Sequence, residues 1–494
     1  MDRTGQRHSG ARLTRRGFLK GTAGATGLLA MGAGGKTWAV AEADWQAKVE
    51  AALPGRAAAV PKRPRKLLIF DLNVGYGGHG SIPTANYAFT RMGEKTGTFS
   101  TVVSRDPAVF AAESLKQFDA VFFNNNVGNL FVDPVLRQNL IDFVYGGGGL
   151  MGVHGTTVAF TRWTEGAAED WPEFGIMLGA RGANHRAADE RVMIRLDDPG
   201  HPVVGPFGGK PFEYRDELFR YQQVYSRNRN RVLMSIDIDK SDLKQGKELG
   251  NCFREDGDYA LAWVRQYGRG RVFHCTIAHN PSVFWDPKML EFYLGATQFV
   301  LGDLAAPTTP SAKLTEAVRA QEKLGWRVAL SPKTGEDWTL FEAIDRAAEL
   351  GLLNVSAEYG MKVSNDLSVP FDSRLNDDQR RAIRLKLDAA CARLLACRTG
   401  SLNNDPAEFH RTFDFLRKMG IETVIAKPTE KTENVASLSS EFGIHMIPED
   451  SSAAAGAAPI HFIEVSKNTP KAELIAAVER INQLSIQQAQ KGHL

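Results

Sequence analysis

Leu67-Leu68-Ile69-Phe70 is a short, unbroken apolar run that ends at Asp71 and enters a glycine-rich stretch. Such a run predicts a buried parallel strand feeding a loop. Asp119 to Asn124 repeats the pattern after a helical segment. Val135 to Tyr145 carries apolar positions at helical spacing and is stopped by Gly146 to Gly149, after which Leu150 to Val153 reads as a third strand. Strands and helices alternating at this length predict an α/β fold built on an open parallel sheet. Further strands are expected at Arg191–Leu196, Val232–Ile236, Ala260–Arg265 and Arg271–Thr276, the last two forming a hairpin through Tyr267 to Gly270.

The flanks differ in texture. Residues 44–65, with Pro54, Pro61 and Pro64, read as an irregular spacer, and the prolines and threonines around Pro307 and Pro310 place a linker at 306–324. Beyond it come helix Phe341–Leu350, strand Leu353–Glu358, helices Asp377–Ala392 and Ala407–Met419, strand Ile421–Ala426, helix Glu433–Glu441 and strand Ile444–Pro448. These are βα units of a barrel, but a complete eight-fold barrel needs about 250 residues. Residues 325–494 therefore predict a partial (βα) TIM-barrel-like domain, after a first domain at 66–305.

The N-terminus changes the reading of the charge. Arg15-Arg16-Gly17-Phe18-Leu19-Lys20 precedes a short, weakly apolar stretch, and Ala41-Glu42-Ala43 offers a cleavage site. Residues 1–43 read as a twin-arginine signal peptide, too short in its apolar part to anchor, which places the mature protein in the periplasm or outside the cell. They hold seven of the 60 Lys and Arg but two of the 57 Asp and Glu, so without them the balance turns from +3 to −2. A near-neutral protein gives no reason to expect a nucleic-acid partner. No later segment is apolar enough for a membrane span. Cys252 with Cys275, or Cys391 with Cys397, could pair; the alternative is four small buried side chains.

In a doubly wound sheet, ligands sit beyond the carboxyl ends of the strands. There the sequence places Asp71, Asn73 and His79, then Asn124 and Asn125, then His154 and Thr156, with Asn184, His185, Arg186, Glu217 and His279 on later segments. Histidine ligates metals and moves protons near neutral pH, and each role calls for a nearby carboxylate. The spacings match no short metal signature. A divalent metal such as zinc on His154, His185 and His279 is one reading, and hydrogen-bonded structural histidines the other. Asp71, Asn73, His79, Asn124, Asn125, Thr156, Asn184 and Arg186 are the expected substrate contacts. Gly75 to Gly80 lacks the Lys-Ser/Thr of a phosphate-binding loop, and a tight turn explains it equally well.

Gly146 to Gly155, Trp171-Pro172-Glu173-Phe174, Asn184-His185, His201-Pro202-Val203, Asp216-Glu217-Leu218, Leu261 to Phe273 and His279 occur in an order that resembles the trehalose-utilisation (ThuA-like) family, over roughly residues 66–303. The resemblance implies a class I glutamine-amidotransferase-like fold and carbohydrate catabolism, on a sugar or a keto-disaccharide. It also implies His154, His185, Glu217 and His279 as metal or acid–base residues. Glutamine amidotransferases carry a nucleophilic cysteine on the turn that corresponds to Gly152-Val153-His154-Gly155-Thr156, so histidine here excludes their cysteine chemistry.

Phe341 to Leu352, Leu375 to Arg380 and Phe415 to Val424 resemble the front of a sugar-phosphate isomerase/epimerase barrel of the xylose-isomerase type. Glu358, Asn404, Glu449 and His461 would be remnants of its site, in a half barrel that is inactive or completed by a partner. Two functions follow: a sugar-processing hydrolase, lyase or isomerase, or a non-catalytic sugar-binding or accessory subunit of an oxidoreductase or isomerase complex. Exposed barrel edges need covering, which a homo-oligomer or a partner subunit would supply.

Overall fold

The computed structural model describes residues 44–162, 170–222, 224–243, 253–400, 405–427, 439–449 and 459–491. Residues 1–43, expected to be a signal peptide, lie outside the described residues, as do Cys252, Asn404 and most of the expected helix Glu433–Glu441.

The first half is built on β1 (Lys66–Phe70), β2 (Ser100–Ser104), β3 (Ala120–Asn124), β4 (Gly149–Val153), β5 (Arg181–His185), β6 (Glu190–Leu196), β7 (Phe212–Asp216), β8 (Phe219–Gln222), β9 (Arg231–Ile236), β10 (Ala260–Tyr267) and β11 (Gly270–Cys275). Nine of these form one sheet in the order β2-β1-β3-β4-β11-β10-β9-β6-β7, and β5 pairs with β8 beside it. From β2 to β11 the neighbours are parallel, while β10, β9, β6 and β7 extend the sheet antiparallel. The central strands β1, β3 and β4 are largely apolar because both faces are covered. Leu67, Ile69, Phe122 and Met151 pack under helices Ile82–Thr96 and Pro287–Leu301, whereas Leu68, Phe70, Val121 and Leu150 pack against helix Pro134–Tyr145 on the other side. Each such side chain, fully buried, contributes about 1.5–3 kcal/mol.

The second half is a curled, all-parallel sheet of β12 (Arg327–Pro332), β13 (Asn354–Glu358), β14 (Arg393–Gly400), β15 (Thr423–Ala426), β16 (His445–Pro448) and β17 (Ile460–Val465), in the order β16-β15-β14-β13-β12-β17. Helices Leu340–Glu349, Asp377–Ala390 and Pro406–Lys418 bury one face of it. Among the described residues the sheet is open between β16 and β17, the half barrel that the sequence implies.

Two connecting segments differ from expectation. Residues 45–52 are helical rather than an irregular spacer, because Val49, Ala52 and Leu53 fall on one helical face and join the main core. Within the linker, Thr315 caps helix Glu316–Leu324, which lies against helix Lys471–Lys491 through Gln321 to Asn482 at 2.9 Å. Cys275, Cys391 and Cys397 are free. Cys397 is buried inside β14, whereas Cys391 caps the preceding helix with φ +53°, so that pair does not form. No described helix is long and apolar enough to cross a membrane.

The halves meet where the half-barrel strands begin. A Cβ on Gly420, just before β15, would lie 3.0 Å from the Tyr145 ring and 3.1 Å from Gly268 Cα, and Arg269 Nη2 donates to the Gly443 carbonyl at 2.6 Å. Arg384 Nε reaches across to Glu173 Oε1 at 2.9 Å.

Candidate functional site

The carboxyl ends of β1, β4 and β11 share one edge of the sheet, and each is followed by a histidine-bearing loop. His154 follows β4 directly, is fully buried and has φ +41°, a left-handed conformation uncommon outside glycine. Thr156 pins this turn, its hydroxyl accepting from Val153 N at 3.2 Å and lying 2.8 Å from the Phe123 carbonyl oxygen. His79 comes from the loop after β1 and His279 from the loop after β11, while Glu217 stands between β7 and β8. Ligand atoms of His79, His154, Glu217 and His279 all lie within 4.8 Å of one another.

Hydrogen bonds determine which histidine nitrogens face the centre. His154 Nδ1 donates to the Thr276 carbonyl at 3.0 Å, so Nε2 carries the lone pair; it lies 3.3 Å from Glu217 Oε1 without forming a hydrogen bond. Asn280 Nδ2 donates to the Ala188 carbonyl at 2.8 Å, which turns its Oδ1 toward His279 Nδ1 at 3.3 Å. His279 Nδ1 is then the donor, and its Nε2, 3.6 Å from Glu217 Oε1, also presents a lone pair. His79 Nδ1 is buried without a partner, and its ring lies edge-on to His154 and His279, centroids 4.9 and 5.4 Å away. Phe219 forms an apolar wall against His154 and His185.

Electrostatics disfavour the cationic forms of His79 and His154 and keep Glu217 an anion. Burial, reinforced by His154 and His279, pushes His79 down to about 3, and burial lowers His154 despite Glu217. Burial alone would raise Glu217, but its contact with His154 and the nearby His185 and His279 imidazoles bring it below the ordinary carboxylate value. Burial raises Asp216 to about 7, even though it accepts from the backbone N–H groups of His279 and Asn280 at 3.0 and 2.9 Å. Asp216 thereby holds the His279 loop in place.

Three histidine nitrogens and a carboxylate are the donors that zinc and similar divalent ions take. The backbone carbonyl behind His154 and the amide oxygen behind His279 are the outer-shell acceptors that fix the tautomer of metal-ligating histidines. The residues therefore fit a divalent metal.

His185 stands outside this quartet, contrary to expectation, because its Nδ1 donates to the Arg186 carbonyl at 2.9 Å and lies 3.2 Å from the second Glu217 oxygen. Several of the expected substrate contacts have partners within the protein. Asp71 is held by Arg105 and Asn86 at 2.8 and 2.7 Å, Asn73 Oδ1 accepts from Val127 N at 2.9 Å, and Asn124 donates to Asn86 at 2.9 Å. Asn125 joins three loops: it donates to Ser81 Oγ at 3.2 Å and the Ala278 carbonyl at 3.0 Å, and accepts from Gly155 N at 3.2 Å. Asn184 Oδ1 accepts from His185 N, and Arg186 pairs with Glu190 at 3.2 Å, outside the quartet. His79, expected among the substrate contacts, is a member of the quartet. Tyr76, 45% exposed with its ring 5.2 Å from His79, is a further site residue that sequence reasoning missed; its position in the glycine loop was the available signal.

Comparison with known proteins places this edge in context. Residues 66–300 match the family described as ThuA, trehalose utilisation. No curated protein matches the chain. Among solved structures, the chain is similar to a ThuA-like protein from Bacteroides uniformis, at 17% identity over 49% of this chain and 93% of that one, with a TM-score of 0.37. A ThuA-like protein from Parabacteroides merdae is similar at 18% identity over 48% and 91%, with a TM-score of 0.34. A β-galactosidase from Bacillus circulans is similar at 10% identity over 49% of this chain and 32% of that one, with a TM-score of 0.28.

Proposed function

We propose that this protein is a metal-dependent enzyme of carbohydrate catabolism, exported by the twin-arginine route, that acts on a sugar or keto-disaccharide at the His79, His154, Glu217 and His279 centre. The carbohydrate assignment is supported by the match of residues 66–300 to the trehalose-utilisation family. The metal assignment rests on one observation: His154 and His279 both spend Nδ1 on a fixed acceptor and turn Nε2 toward the same Glu217 oxygen. A divalent ion held there would polarise a sugar carbonyl or lower the pKa of water. His185, partly exposed beside the other Glu217 oxygen, is placed to move a proton at its imidazole, and the exposed Tyr76 ring to pack against a bound sugar. The open half barrel supports a second reading, an accessory subunit whose β16 and β17 edges dock on a partner.

Elemental analysis of protein purified without chelator, beside His154→Ala and His279→Ala, tests the metal reading. About one equivalent of zinc, manganese or iron is expected, lost in both variants and retained in His185→Ala. Metal-free wild-type protein overturns it and leaves the binding reading.

A further inference from the structure

We propose that the cleft between the two halves is a binding site for a small molecule carrying two or more phosphate groups, separate from the histidine centre. The cleft has a volume of about 1000 Å³, within the range of ligand pockets. It is walled by β10 and the Thr308–Lys313 segment on one side and by the amino ends of β12, β13 and β14 on the other. Eight of its lining residues are Lys or Arg and two are Asp or Glu. Without residues 1–43, the chain as a whole is slightly acidic, so the positive charge is concentrated here.

Contact between the halves explains only part of this excess, because the carboxylates are too few. Asp388 takes both Arg229 Nε and Arg265 Nη2 at 2.8 Å. Behind the wall, Glu173 serves Arg384 at 2.9 Å and Arg381 at 3.2 Å, and Glu422 serves Arg393 at 2.7 Å as well as Arg327. Asp198 serves Arg231 at 2.7 Å and Arg319 at 3.7 Å, with Glu322 also on Arg231 at 2.6 Å. Lys313 has no ion pair among the described residues, and Arg384, 1% exposed, has an Nη1 with no acceptor. Helices Glu316–Leu324, Leu340–Glu349 and Asp377–Ala390 end at the cleft, each bringing about half a negative charge at its C-terminus. Even so, the guanidinium and ammonium groups outnumber their partners. Arg384 Nη1 and the Lys313 ammonium remain as donors, and the planar guanidinium matches phosphate oxygens.

Calorimetric titration of the full chain with inorganic pyrophosphate, at physiological ionic strength and in chelator so that no metal at the histidine centre contributes, tests the assignment. Saturable binding with Kd at or below about 1 mM is expected. It should weaken at least tenfold in the double variant Lys313→Glu/Arg319→Glu, whose side chains are not buried, and persist in the distant control Lys116→Glu. Absence of saturation, or binding that the double variant leaves unchanged, overturns the proposal. Binding of citrate with none of pyrophosphate overturns the phosphate assignment.

Discussion

Asn125, buried with φ +57°, hydrogen-bonds the His79, His154 and His279 loops together. Asn125→Ala removes these bonds, leaves polar partners buried, and puts a less tolerant residue in a left-handed conformation. It is expected to lower stability by about 1–3 kcal/mol in denaturant titration and, on the proposed metal reading, to reduce bound metal although every ligand remains. Unchanged metal content in a destabilised variant would show that the loops hold their ligands independently. His154 and His279 stood out in the sequence because each follows an apolar run, where a polar side chain has an evident place, whereas Glu217 follows the charged segment Phe212–Asp216 and stood out only within the Asp216-Glu217-Leu218 motif. That His79 rather than His185 joins the cluster was not legible. It depends on where the Arg186 carbonyl lies and on how the glycine loop folds back, and neither leaves a trace in residue spacing.

Helices and strands show the same division. Runs buried on both faces, such as β1, β3 and β4, are plain in sequence because nearly every position is apolar. The edge strand β2 (STVVS) is only half buried and mixes serine and threonine with valine, so its pattern is weak. The helix at 45–52 was obscured by the prolines that follow it, and β17 by its polar positions, since Glu464 is exposed. Between elements, Gly128 supports the His79 loop: its φ is +93°, and a Cβ there would lie 1.9 Å from the Val74 carbonyl oxygen. Gly128→Ala is therefore expected to cost more than Gly97→Ala, where φ is +65° but the space is open. Thermal melts should separate the two. Gly97→Ala should lose about 1–2 kcal/mol of left-handed strain, and Gly128→Ala that amount plus a backbone displacement that also reduces metal occupancy.

Across the whole molecule, acid should act on the half barrel through Glu422. Burial alone would raise this carboxyl, but Arg393 and Arg327 outweigh it and hold it at about 2, against 4.5 when unfolded. Its pKa is depressed in the folded state, so its contribution is complete above about pH 4.5 and fades as pH falls toward 2. At most about 3 kcal/mol is at stake. Glu422→Gln should flatten the decline in stability over that window, measured by denaturant midpoints at stepped pH. An unchanged slope would assign acid sensitivity to other carboxylates. The halves were separable in sequence by the change of texture near Pro307, but the shared arginine–carboxylate contacts between them were not, because each pairs residues far apart in the chain.

The distance along the chain between His79 and His279 makes the centre a clock. A nascent chain presents its first histidine early, yet has no complete donor set until β11 has inserted beside β4 and the loop after it has closed on Asp216. A tightly held ion would thus certify that the nine-stranded sheet is finished. If the chain takes the proposed twin-arginine route, which carries cargo already folded, the moment to acquire that ion would be before departure rather than after arrival.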